Sequence, residues 1–217
     1  MARGRDDGAV HRQGQWPPAV VVGIDAPHKE DDRFAMYSLG RWDHRHKPHS
    51  RRPKRIEGYG EQTAAFLMDT VRPYIESTYR VSRDRERVAV AGSSMGGYMA
   101  LLVGAKYSQW VSKVMAFSPV AMDFPMRGDL LRDLIARSGS AVPQRFYLDM
   151  GGREKLEFTQ HPDELIDHLA QLRETLLAAG HSEVLARVVP GDRHDEHAWA
   201  RRFPQAYLWA FFGVEPG

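Results

Sequence analysis

From Arg87 onward, short β-rich runs alternate with longer segments of helical periodicity, and this alternation limits the fold more than any composition figure does. The pattern predicts strands at Arg87-Val88-Ala89-Val90-Ala91-Gly92, at Lys113 to Pro119 (ended by the proline), at Arg145 to Met150 and at Val184 to Val189. Helices fall between them at Met95 to Lys106, Asp129 to Arg137 and Pro162 to Ala179, the last ended by Gly180. A final helix from about His197 to Phe212 carries Trp199, Phe203, Tyr207, Leu208, Trp209 and Phe212, most of them core anchors. Strands separated by helices of this length form a largely parallel sheet, because parallel neighbours need a crossover. Ligands in such sheets bind beyond the carboxyl ends of the strands.

Upstream the pattern is less regular. Ala19-Val20-Val21-Val22-Gly23-Ile24-Asp25 is a continuous apolar run that suits a strand covered on both faces. Residues 28–60 are polar, basic and proline-containing, and read as a long loop excursion over the surface. Glu61 to Thr78 has helical spacing, with Pro73 expected to kink or divide it.

A chain of 217 residues can bury one substantial core, so a single domain over residues 1–217 is expected, with residues 1–16 irregular. It holds no cysteine, which removes disulfides, thiolate metal sites and a cysteine nucleophile. The net charge of +2 argues against a dedicated nucleic-acid binder, although the stretch Arg41 to Arg55 is strongly basic. No apolar run reaches the roughly 20 residues of a spanning helix, and Met1 to Gln15 lacks a signal-peptide apolar region. The expectation is a cytoplasmic protein without a membrane partner.

Gly92-Ser93-Ser94-Met95-Gly96-Gly97 stands between a predicted strand and a predicted helix, and matches GxSxG with Ser94 at its centre. Glycines allow the sharp turn that holds the serine out at the strand end. The helix start behind it offers free N–H groups to a developing oxyanion, with Met95 the expected donor. Three fixed letters recur by chance in roughly one chain in fifteen of this length, so the strand-turn-helix context carries the weight. The plainer reading is a glycine-rich turn with Ser93 or Ser94 capping the helix.

A serine hydroxyl needs a base, and the base an acid, in the chain order serine, acid, histidine. His194 lies in the loop past the last predicted strand and is the favoured base. His197 falls in the first turn of the final helix and is the alternative. Glu154 lies beyond the strand that ends at Met150 and is preferred as the acid over Asp149, which is still inside it; Glu157 and Asp163 stay open. A metal hydrolase is the rival class, since His44, His46 and His49 cluster and His194-Asp195-Glu196-His197 is ligand-rich, but HDEH is not the HExxH spacing that puts two histidines on one helix face. Neither a metal nor an organic cofactor is expected.

The sequence resembles the putative-esterase family that includes enterochelin-type and feruloyl esterases, within the α/β-hydrolase fold. The resemblance rests on Val21 to Asp25, Arg33 with Tyr37, Tyr74 to Arg80, the turn Gly92 to Gly97, Phe117-Ser118-Pro119, Asp149 to Glu154, and His194-Asp195-Glu196 with Trp199. It implies a three-layer sandwich with a mostly parallel sheet, Ser94 as nucleophile, His194 as base, Glu154 as acid, and Arg33 and Trp199 at the substrate pocket. The expected partner is a small-molecule ester, and the basic stretch Arg41 to Arg55 would favour an anionic or catechol-like one. Family members carry a further strand ahead of the region equivalent to Val20 to Ile24, ending in a turn that gives the second oxyanion donor. Only Met1 to Trp16 precede the region here. The N-terminal strands are therefore expected to be reduced, and the exposed sheet edge to be covered by a second subunit in a homo-oligomer. A catalytically weak or silent binding protein on the same fold is the alternative function.

Overall fold

The computed structural model describes residues 18–44, 54–123, 126–157, 159, 161 and 163–216. Helix α1 (Glu30–Tyr37) leads into an antiparallel pair, β1 (Arg41–His44) and β2 (Lys54–Glu57). The helical stretch that follows is α2 (Gly60–Ala65), a π-helical turn Phe66–Val71, and α3 (Arg72–Thr78). Then strands and helices alternate: β3 (Ala89–Ser93), α4 (Met95–Lys106), β4 (Lys113–Phe117), α5 (Gly128–Ser138), β5 (Arg145–Gly151), α6 (Glu164–Ala178), β6 (Glu183–Val189) and α7 (Glu196–Phe212).

The sheet order is β3-β4-β5-β6, parallel throughout. Because each strand lies beside its predecessor in one direction, right-handed crossovers put the connecting helices on one face. Side chains follow the period of two. Val114, Ala116, Phe146, Leu148 and Met150 pack with α4, α5 and α6. Met115, Phe117 and Tyr147 point the other way, onto Ala206, Trp209 and Ala210 of α7. This is a mixed α/β architecture with helices on both faces of the sheet. Helix α6 buries Leu165, Leu169, Leu172 and Leu176, a stripe at helical spacing. Helix α4 is buried almost all round, from Gly97 to Ala105, because α1, α2 and α5 cover the side away from the sheet.

Two expectations for the N-terminal part are corrected. Ala19 to Asp25 forms no strand: Val20, Val21 and Val22 are 53%, 71% and 42% exposed. An apolar run becomes a strand only when a neighbour takes its backbone hydrogen bonds, and among the described residues β3 pairs with β4 alone. Nor are residues 28–60 a structureless excursion. They contain α1 and the β1-β2 pair, and they bury Phe34, Ser38, Leu39 and Ile56 against the core; residues 45–53, with most of the basic stretch, lie outside the described residues. In the helix from Gly60 the widening precedes Pro73. Proline has no N–H for the carbonyl four residues back and crowds it, and the Arg72 N–H bonds to the Leu67 carbonyl, five residues back.

Candidate active site

Each strand of the sheet delivers one part of a single site just past its carboxyl end: Ser94 after β3, Ser118 after β4, the Gly152 to Glu154 segment after β5 and His194 after β6. The turn between β3 and α4 holds Ser94 at φ 56° and ψ −122°, outside the regions open to an L-residue at low energy. Such a conformation costs about 1–3 kcal/mol and persists only when its surroundings impose it. Here the Ser94 N–H donates to the Phe117 carbonyl (2.9 Å), and the Ser94 carbonyl accepts from Gly97, Tyr98 and Val120. A Cβ at Gly92 would run into the Gly96 carbonyl, so the tight turn depends on glycine there.

Ser94 Oγ lies 2.9 Å from His194 Nε2, and His194 Nδ1 lies 2.7 Å from Glu154 Oε2. With Nδ1–H donating to the carboxylate, Nε2 is left as the acceptor for the serine hydroxyl hydrogen. Glu154 is buried, its side chain 1% exposed, and its other oxygen, Oε1, accepts from the Gly151 N–H at 2.6 Å and from the Ser118 hydroxyl. Gly151 has no room for a side chain, since a Cβ there would meet the Asp192 carbonyl at 2.5 Å and Glu154 Oε1 at 2.8 Å. The Met95 N–H heads α4, where an N–H has no acceptor within its own helix and the helix dipole favours negative charge.

Ser94, His194 and Glu154 are brought together in one hydrogen-bonded chain. Asp149 is near but turned to the α7 face, where it accepts from Tyr147 Oη and from Arg202, and does not touch His194. Burial pushes its carboxyl up to about 6, against the pull of Arg202. His197 is exposed on the first turn of α7, beside Asp195, whose side chain caps that helix by accepting from the Ala198 N–H. The Asp195 carboxyl is held below the usual range by that bond. Trp199 stands edge-on to the His194 ring, centroids 5.0 Å apart, and donates its indole N–H to Ser118 Oγ at 2.8 Å. Arg33 is half-buried on α1, which packs against α4. Residues 46 and 49 of the histidine cluster lie outside the described residues. A cleft of about 320 Å³ between α2 and α5 includes Leu39, Leu130, Leu134 and Arg137 in its wall but none of the residues around Ser94, so its size says nothing of the chemistry there.

Sequence reading missed Arg202 and the part played by Ser118. A signal for Arg202 was available: it sits on the apolar stripe of α7 between Ala198 and Ala206, where a cation needs a partner, and it is 4% exposed.

The sequence profile of the family described as "Putative esterase" matches residues 7–210. Among curated proteins, "Uncharacterized protein YbbA" of Bacillus subtilis (strain 168) is 20% identical over 211 residues, covering 94% of this chain and 77% of that protein. Among solved structures, an enterochelin esterase from Shigella flexneri aligns with TM-score 0.64 and 24% identity over 93% of this chain and 45% of that one. Siderophore hydrolase EstA from Aspergillus nidulans aligns with TM-score 0.61 and 21% identity over 85% and 69%. A ferulic acid esterase gives 0.53 and 23% over 69% and 60%. The chain thus spans less than two thirds of the ferulic acid esterase and of the enterochelin esterase, and at these identities the likeness is one of fold.

Proposed function

Because the chain belongs to the putative-esterase family, we propose that it is a serine hydrolase that cleaves a carboxylic ester through an acyl-enzyme on Ser94. One observation carries this reading: the unbroken line from Ser94 Oγ through His194 to Glu154, at 2.9 and 2.7 Å, on a strained turn at the sheet's carboxyl edge. As Ser94 Oγ attacks the ester carbonyl, its proton passes to His194 Nε2. The Met95 N–H stabilises the oxyanion. His194 then protonates the leaving alcohol, and a water activated by the same nitrogen releases the acid. Glu154 keeps Nδ1 protonated and stabilises the imidazolium. No step requires a metal or an organic cofactor.

The structural neighbours include enzymes named for ferulic acid and for enterobactin. Esters that carry a hydroxylated aromatic ring are therefore the first substrates to try. The test is labelling with a fluorophosphonate, wild type beside Ser94→Ala, with hydrolysis of short-chain aryl esters in parallel. We expect labelling of wild type only, and a loss of turnover on the order of a million-fold in Ser94→Ala. A second reading, a silent binding protein on this fold, draws on the exposed Val20 to Val22 run standing outside the sheet. It predicts folded wild type that the probe does not label.

A further inference from the structure

Behind Glu154 lies a buried polar array that the reaction itself does not use. Arg202 reaches it from α7. Its Nη1 donates to Asp149 Oδ1 at 2.9 Å, its Nη2 donates to Ser118 Oγ at 3.1 Å and lies 3.6 Å from Glu154 Oε1, and its Nε lies 3.5 Å from Asp192 Oδ2. One guanidinium thus serves three carboxylates, two of which, Asp149 and Glu154, have side chains no more than 1% exposed. Asp192 is shared with Arg201, at 2.9 Å.

The hydrogen count at Ser118 decides what this array does. Ser118 Oγ accepts from the Trp199 indole N–H and from Arg202 Nη2, which occupies both of its lone pairs. Its one hydrogen then has Glu154 Oε1 as its partner. The residue itself is fully buried and held at φ 44°, with its N–H donating to the Asp149 carbonyl at 2.9 Å and to Asp149 Oδ1 at 3.2 Å. A serine kept in a strained conformation by the carboxylate that also pairs Arg202 is a fixed donor rather than a free rotor.

Resting on the esterase reading above, we propose that Arg202, Trp199 and Ser118 form a relay of positioning residues. Arg202 and Trp199 orient the Ser118 hydroxyl onto Glu154 Oε1, and so reserve Oε2 for His194. Asp149 is the anchor of the relay, holding Arg202 on one side and the Ser118 backbone on the other. Trp199 has a second grip, since its ring packs perpendicular to the imidazole that Glu154 orients. Outer partners of this kind are worth about 10- to 100-fold where they orient a functional side chain.

The experiment is a cycle on aryl-ester hydrolysis, with circular dichroism to establish folding and the rate of fluorophosphonate labelling of Ser94 as the second readout. Ser118→Ala removes only the hydroxyl. We expect its kcat to fall about 10- to 100-fold with KM within about two-fold, and labelling to slow in proportion. In a Glu154→Gln background the same change should cost less than about three-fold, because the hydroxyl acts through the carboxylate. Arg202→Lys keeps the charge but cannot fork between Asp149 and Ser118, so it should lose as much as Ser118→Ala, and the double variant no more than either. Folded Ser118→Ala with wild-type kcat, or losses that multiply with Glu154→Gln, would overturn the proposal. If Arg202→Lys does not fold, the Ser118 arm decides alone. Wild type that the probe fails to label overturns the esterase reading itself, an outcome distinct from either.

Discussion

At the scale of single residues, the two carboxylates of the β5 end are separated by which face of the sheet each one serves. Asp149 alternates with Leu148 and Met150, so it shares the α7 face with Tyr147 and meets Arg202. Glu154 lies past the strand and turns back over its end to His194. Glu154→Gln is expected to lower kcat by about 10³- to 10⁴-fold with little change in melting temperature, since the Gly151 N–H and the Ser118 hydroxyl claim the amide oxygen and leave its NH2, a donor, facing His194 Nδ1, which favours the wrong tautomer. Asp149→Asn should instead cost stability, because it takes the ion partner from a buried Arg202, and lower kcat by no more than the about 10- to 100-fold that the relay it anchors is worth. Comparing kcat and urea midpoints of the two variants checks the division. His181 gives a pH prediction. It is 4% exposed against the Phe146 ring, burial lowers its pKa, and its Nδ1 has no partner among the described residues. A depressed folded pKa means that the unfolded chain binds the proton first. The contribution of His181 is therefore present above about pH 6.5 and is lost as pH falls through the lowered folded value. His181→Phe should flatten the acid limb of melting temperature against pH; an unchanged limb would refute this.

At the scale of elements, the turn between β3 and α4 and the stripe on α6 answer to different demands. Gly92→Ala forces a Cβ into the Gly96 carbonyl and must shift the turn that holds Ser94. A displacement of even about 1 Å there can cost 100-fold in rate, so labelling of Ser94 should slow at least that much while the far-ultraviolet spectrum is kept. Leu172→Ala on α6 removes a fully buried side chain that packs in the core rather than at the site. It should cost about 2–5 kcal/mol of stability, read from denaturant melts, with kcat unchanged at temperatures where the variant is folded. Both elements were legible in the sequence: the glycine spacing is a local requirement of the turn, and the leucine spacing is a local requirement of a helix with one covered face. The widening ahead of Pro73 was legible as a disturbance but not as a π turn, because the form it takes depends on which carbonyl accepts the displaced Arg72 N–H.

At the scale of the whole molecule, the sheet has a covered centre and open margins. β4 and β5 are buried along nearly all their length, whereas β3 and β6 are half-exposed and Val20 to Val22 stand in solvent. Amide hydrogen exchange should accordingly be slowest in β4 and β5, faster in β3, and near the unprotected rate over residues 19–24; strong protection there would mean that the segment has found a strand partner. Among the described residues no helix is long and apolar enough to cross a membrane. The sequence by itself determined the alternation from β3 to α7, the serine turn, and the histidine past β6, because each is written in period, glycine placement or chain order over a few neighbouring residues. The tertiary structure alone decided three things: that Ala19 to Asp25 stays outside the sheet, that residues 30–44 and 54–57 form a helix and a strand pair, and that Arg202, Ser118 and Trp199 close around Glu154. Each depends on what the rest of the chain brings alongside. A run of valines does not reveal whether a neighbouring strand will take its hydrogen bonds, and an arginine on an apolar stripe signals a need for a carboxylate without saying which of three will meet it.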